Sequence, residues 1–288
     1  MKVDNDLLCD DDGNRYRFED IPSYDKNIKI KPKYIILHYT AGIPIEGTIE
    51  TFRTQQVSSH LVVDRDGSII QCVPFNLRAW HAGPSQWADR TDLNSHSIGI
   101  EINNFGLVRR NAENQWGRGN TILPDEDVIE ATHKFLYKPF GWQIYPEAQL
   151  AAVLEILKTL IAAYDTILDI AGHDDIYNSG VEGPGGLPEP EKLDPGPAFP
   201  MDSFRFQAFD LPEGTPMKYR AARPMTMRVD PLKAAVPGGY LPNKTPVQVI
   251  RRQRGWAQVD KLGPEGEVLP LQGWVPERYL KREMEALP

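Results

Sequence analysis

Apolar and polar positions follow two different rhythms, one before about residue 210 and one after it. In the first part, short all-apolar runs alternate with helical periodicities. Tyr34–His38 is apolar up to its terminal histidine and predicts a buried strand that delivers His38 to a sheet edge. Pro44–Gln56 places Ile45, Ile49 and Phe52 at helical spacing. Ser58–Pro74 has two apolar runs around Asp66-Gly67, the pattern of a β-hairpin. Ser97–Asn103 predicts a buried strand carrying Glu101, and Ile167–Ala171 a further strand.

The strongest helix signal is Pro146–Tyr164, with proline at its first turn and Leu150, Val153, Leu154, Leu157, Leu160 and Ile161 on one side. Asp125–Leu136, after Pro124, predicts another helix, and the polar residues 105–125 a long exposed loop, inert or substrate-facing. Ser179–Pro200 is too dense in proline and glycine for regular structure, yet it holds Lys192 and Asp194. Interleaved strands and helices predict an α/β domain with a mixed sheet flanked by helices.

Beyond residue 210 the periodicity becomes that of short strands (Met225–Val229, Val247–Arg251, Trp256–Val259, Gly273–Val275) separated by Pro/Gly turns, which predicts a small all-β barrel. Charge divides at the same place. Residues 1–214 hold 19 basic and 33 acidic side chains, a net −14, whereas 215–288 hold 13 and 7, a net +6. The expected organisation is an N-terminal extension (1–29), an α/β domain (30–210) and a β-barrel domain (215–288).

Composition narrows the function classes. The overall charge of −8 argues against nucleic acid as the main partner. No run reaches the roughly 18 apolar residues of a membrane helix, and the acidic first twelve residues do not form a signal peptide. Cys9 and Cys72 make neither a disulfide framework nor a metal pair and read as free thiols.

His38, His173 and Asp194 are ligand-competent side chains at expected strand ends or in the loop beyond. Two imidazoles and one carboxylate leave a tetrahedral position open, as in catalytic zinc sites, and nitrogen donors favour Zn²⁺ over Mg²⁺ or Ca²⁺. Spacing alone does not select them, because His60, His81, His96 and His133 are available as well.

Six strings in order narrow the choice: H-Y-T-A-G at His38, V-S-S-H-L-V-V-D-R-D-G-S-I from Val57, R-A-W-H-A-G from Arg78, S-I-G-I-E-I from Ser97, G-H-D-D-I from Gly172 and K-L-D-P-G-P-A-F from Lys192. Over roughly residues 30–200 the chain resembles the type-2 family of zinc-dependent N-acetylmuramoyl-L-alanine amidases, to which recycling amidases, lipoprotein amidases and peptidoglycan-recognition proteins belong.

The resemblance implies one Zn²⁺ held by His38, His173 and Asp194, with Glu101 and Lys192 as catalytic groups. The reaction implied is hydrolysis of the amide between N-acetylmuramic acid and L-alanine. In it Glu101 would move the proton of the attacking water, and Lys192 would steady the oxyanion. His81 and Trp80 are expected along the substrate groove, with Arg109 and Arg110 as further candidate contacts. His60 reads as a core or supporting histidine, and His96 and His133 as ordinary ones.

Residues 215–285 resemble a bacterial SH3-like module, chiefly in R-G-W-A-Q-V at Arg254 and G-W-V-P-E-R-Y-L at Gly273. Trp256, Trp274 and Tyr279 are expected in its core or rim, and its positive charge suits an anionic wall polymer. The expected partner of the whole chain is peptidoglycan or a muropeptide. The alternatives are a cytosolic recycling amidase for soluble anhydro-muropeptides, and a non-catalytic peptidoglycan-binding protein. The expected routes to the wall are a phage lysin, an exported effector or a secreted enzyme whose leader has been trimmed.

Overall fold

The computed structural model describes residues 1–42, 44–87, 90–136, 138–176, 192–211, 218–221, 223–229, 235–253, 256–276 and 279–282. The chain divides into two compact units, Met1–Glu130 with Gly141–Glu213, and Ala131–Phe140 with Gly214–Pro288.

The first unit is built on a six-stranded mixed sheet. Its strands are β1 (Arg17–Phe18), β2 (Tyr34–Tyr39), β3 (Leu61–Val63), β4 (Ile69–Gln71), β5 (Ser97–Ile102) and β6 (Asp169–Gly172), in the order β6-β2-β5-β3-β4-β1. The β3–β4 pair is the expected antiparallel hairpin, whereas β6, β2, β5 and β3 run parallel. Both faces of these parallel strands are covered by helices, which is why they read as unbroken apolar runs rather than as alternations.

On one face Ile35, Leu37, Leu61, Val63, Ile98, Ile100 and Ile102 pack against α2 (Glu147–Ala163) through Val153, Ile156, Leu157 and Leu160. Each fully buried aliphatic side chain here contributes about 1.5–3 kcal/mol of apolar transfer. The other face packs Val62, Ile70 and Cys72 against Ile45, Ile49 and Phe52 of α1 (Ile45–Thr54). Glu46 in the first turn of α1 and Arg53 in its last turn suit the helix dipole. His38 and Glu101 lie on this α1 side, because they alternate with Leu37 and Ile100 on the α2 side.

Residues 1–29 pack on the first unit: Leu8 is fully buried in the main core beside α2, Ile21 joins the α1-side core, and β1 pairs with β4. Two expectations need correction.

Residues 105–125 are not a loop. Leu107–Arg110, Trp116–Arg118 and Thr121–Leu123 form antiparallel strands of a second sheet over a small core of Phe105, Val108, Trp116 and Leu123, and Phe140–Gln143 pairs with Leu107–Val108. Asp125–Leu136 is not a helix either. One 3₁₀ turn, Asp125–Asp127, gives way to the strand Val128–Ala131, where β-branched Val128 and Ile129 favour extended backbone.

In the second unit seven antiparallel strands lie in the order Ala235–Leu241, Met225–Arg228, Val268–Pro276, Trp256–Leu262, Pro246–Gln253, Lys218–Ala221, Leu280–Arg282. Met225, Met227, Val247, Ala257, Val259 and Trp274 are buried, in the alternation the sequence carries. Trp256 and Tyr279 are half-buried, each beneath a guanidinium, that of Arg228 and that of Arg223 respectively. Among the described residues no helix is long and apolar enough to cross a membrane.

Candidate metal centre

Strand register sets the first pair of functional side chains. In the parallel β2–β5 pair, His38 is opposite Glu101, so imidazole and carboxyl leave the sheet side by side. Neighbouring β6 ends at Gly172 and passes directly into α3 (His173–Ile176). A Cβ on Gly172 would collide with the Asp174 carboxylate and the Pro195 ring, so only glycine permits this close approach. The segment carrying Asp194 is tied down by the Asp174 N–H, which donates to the Asp194 carbonyl at 2.8 Å, and by the Tyr145 hydroxyl, which donates to the Pro195 carbonyl at 2.8 Å.

The result is a tight triangle. His38 Nδ1 lies 2.9 Å from His173 Nδ1 and 3.1 Å from Asp194 Oδ2, and His173 Nδ1 is 3.0 Å from the same oxygen. Donors on a tetrahedral ion with bonds of about 2.0–2.1 Å lie about 3.3 Å apart. Two imidazoles and a carboxylate at this spacing therefore fit a zinc ion with small outward adjustments.

Protonation agrees with that fit. Burial, reinforced by the neighbouring His173, pulls the His38 pKa down to about 4 against the opposing pull of Asp194. Burial by itself would raise Asp194, but His173 and His38 more than offset it and hold the carboxylate below its usual range. A neutral His38 imidazole beside the ionised Asp194 carboxylate is the protonation state that binds a divalent cation.

Glu101 is the complementary group. Burial, then the negative charge of Asp194, pushes its carboxyl up to about 8, with Lys192 opposing. Its Oε2 is buried with no hydrogen-bond partner among the described residues. Such an oxygen is costly to leave unpaired, and it is available to a water or a substrate proton. His38, His173, Asp194, Glu101 and Lys192 line a groove of about 480 Å³ together with Thr48 and Thr51 of α1 and Trp80.

The remaining candidates separate. His81 and Trp80 both line the groove. Trp80 is 37% exposed and carries the Arg78 guanidinium 4.3 Å from its ring centroid. Arg109 and Arg110 lie outside the groove lining, on the Leu107–Arg110 strand. Arg110 donates to the Asn114 carbonyl, stacks on Trp116 and faces Asp125 and Glu130.

His60 is fully buried and bridges the backbone: its Nε2 faces the Leu77 carbonyl and its Nδ1 accepts from the Gly99 N–H. Cys9 and Cys72 are buried free thiols. Sequence reasoning missed Ser97, Gly99 and Asn94, which support the His81 loop. The signal lay in the period-two series Ser97, Gly99, Glu101 on the face of β5 that His38 shares.

The chain belongs to the N-acetylmuramoyl-L-alanine amidase family (Amidase_2), whose model matches residues 29–197. It is 36% identical over 151 residues to the 1,6-anhydro-N-acetylmuramyl-L-alanine amidase AmpD of Salmonella typhimurium, covering 52% of this chain and 56% of that one. It is 31% identical over 183 residues to the N-acetylmuramoyl-L-alanine amidase AmiD of Escherichia coli, covering 61% and 52%. The chain thus spans about half the length of the curated relatives it matches. Among solved structures, a complex of AmiD from E. coli aligns at 26% identity and a TM-score of 0.43, over 69% of this chain and 65% of that one.

Proposed function

We propose that this chain is a zinc-dependent N-acetylmuramoyl-L-alanine amidase that hydrolyses the amide between N-acetylmuramic acid and L-alanine in peptidoglycan. The observation that carries the reading is the convergence of His38, His173 and Asp194, with donor atoms 2.9–3.1 Å apart and a buried Glu101 oxygen, unpaired among the described residues, lining the same groove. These three residues would hold the ion. When bound, zinc supplies a Lewis acid that makes water nucleophilic near neutral pH.

The chain's own groups do the rest. Glu101, buried and with its carboxyl pushed up to about 8, near the working range, takes the proton of the attacking water and returns it to the departing L-alanine amine. Lys192, at the groove wall, places positive charge where the scissile carbonyl oxygen becomes negative. Thr48, Thr51 and Trp80 offer hydroxyls and an aromatic face to the sugar and the stem peptide.

The second unit is the binding arm in this reading. Its antiparallel strands suit an SH3-like barrel, and the net +6 of residues 215–288 suits an anionic wall polymer. A second reading, cleavage of soluble anhydro-muropeptides, is favoured by the activity in the name of the S. typhimurium relative.

The deciding experiment incubates the protein with intact sacculi and with soluble anhydro-muropeptides, with and without a chelator, and identifies new ends by mass spectrometry. Free L-alanine amino termini from sacculi, lost on chelation and restored by zinc, are expected. Release from soluble fragments alone transfers the proposal to the recycling reading, and binding without release overturns hydrolysis. His38→Ala should abolish both zinc retention and cleavage; a variant cleaving at the parental rate removes the metal from the account.

A further inference from the structure

His38 turns one ring nitrogen toward the donor triangle and the other away from it. The outward nitrogen, Nε2, is 3.0 Å from Nδ1 of His81. In the ligating state His38 Nδ1 carries no proton, so the ring proton resides on Nε2 and is donated to His81 Nδ1. His81 must then carry its own proton on Nε2, which faces Ser97 Oγ at 3.4 Å, and the Ser97 hydroxyl donates in turn to the Leu93 carbonyl. Every proton in this chain has one consistent direction, and it ends on neutral backbone rather than on a carboxylate.

The His81 ring is held firmly in place. Its backbone N–H and that of Ala82 both donate to Asn94 Oδ1, at 2.9 and 2.8 Å. The imidazole lies over Gly99 of β5, where a Cβ would come within 2.5 Å of His81 Cγ. Only 9% of His81 is exposed, so most of its surface faces protein rather than groove. His173 differs: its outward Nε2 is buried without a partner among the described residues. The two imidazoles of the triangle are thus supported unequally.

We infer that His81 is a positioning residue for the metal centre: it fixes the tautomer and ring plane of His38 by accepting the Nε2 proton, with Gly99 keeping the space it occupies. This inference rests on the zinc reading above. It assigns His81 an action through His38 instead of a contact with substrate. Hydrogen-bond partners behind metal-bound imidazoles typically govern affinity about 10–100-fold.

The test titrates metal-free protein with zinc chloride against a chromophoric chelator. His81→Leu, which keeps bulk and removes the acceptor, should weaken zinc binding about 10–100-fold. His81→Asn, whose Oδ1 falls near the place of Nδ1, should stay within a few-fold of the parent. Gly99→Ala, which displaces the ring without altering it, should weaken binding as His81→Leu does. In the zinc-loaded parent the His38 Nε2 proton should give a protected downfield NMR signal that His81→Leu loses.

Equal zinc affinity in folded His81→Leu, His81→Asn and parent overturns the inference and leaves the metal reading standing. Should His81→Leu fail to fold, an Asn variant weakened as severely as Gly99→Ala also overturns it. A parent that takes up no zinc overturns both readings together.

Discussion

Burial moves the Glu101 carboxyl from 4.5 to about 8, with Asp194 adding to the shift and Lys192 opposing it. The sign of the consequence for stability follows from proton counting. Between those pH values the folded metal-free chain retains a proton that the unfolded chain has released. The stability this group contributes is therefore complete below about 4.5 and disappears as pH rises through about 8. Glu101→Gln should raise the melting temperature of metal-free protein relative to the parent at pH 9 and leave it unchanged near pH 4, as differential scanning fluorimetry would show. The same variant should retain zinc while cleaving about 10²–10⁴-fold more slowly. Undiminished cleavage would remove Glu101 from proton transfer.

At the scale of elements, the centre depends on how β6 and α3 are held from behind. Arg205 of α4 (Met201–Ala208) is buried; it donates to the Ile170 carbonyl and pairs with Asp175, whose carboxylate also accepts the Gly172 N–H next to His173. Arg205→Met leaves Asp175 without this partner and the Ile170 carbonyl unpaired. A loss of about 3–5 kcal/mol is expected in urea unfolding, together with weaker zinc retention. Leu8→Ala should cost about 2–5 kcal/mol, because Leu8 sits fully buried in the main core; a negligible cost would detach the N-terminal residues from that core.

Legibility in the sequence followed the size of each element's apolar stripe. α1 and α2 were readable because Ile45, Ile49 and Phe52, and Val153, Leu157 and Leu160, repeat at helical spacing. The strands of residues 107–123 were not, since three or four residues with a single buried Val108, Trp116 or Leu123 each, and arginines among the rest, scarcely alternate. His38 and Glu101 were readable as strand ends and strings. The His38–His81 contact was not, because it depends on ring orientation, which spacing does not encode.

For the whole molecule, charge divides along the chain, with −14 over residues 1–214 and +6 over 215–288. If the second unit is the wall-binding arm, cosedimentation of the full chain with sacculi should fall steeply with added salt, because exposed charges are screened within about 10 Å at 0.1 M. Charge-reversing substitutions at exposed Arg220 and Lys244 should weaken that binding and leave cleavage of soluble muropeptides unchanged. Salt-independent sedimentation would assign wall binding to the amidase unit.

The side-by-side placement of His38 and Glu101 has one more implication. Side chains along β5 alternate strictly between the α1 side, where Glu101 lines the groove, and the layer under α2. A single codon inserted between Ser97 and Glu101 would invert that parity. The carboxyl would then point at Val153 and Leu157 and an isoleucine would occupy the groove, with fold and chemistry damaged in one stroke. The proposed hydrolysis is in that sense hostage to an odd-or-even count along one six-residue ribbon.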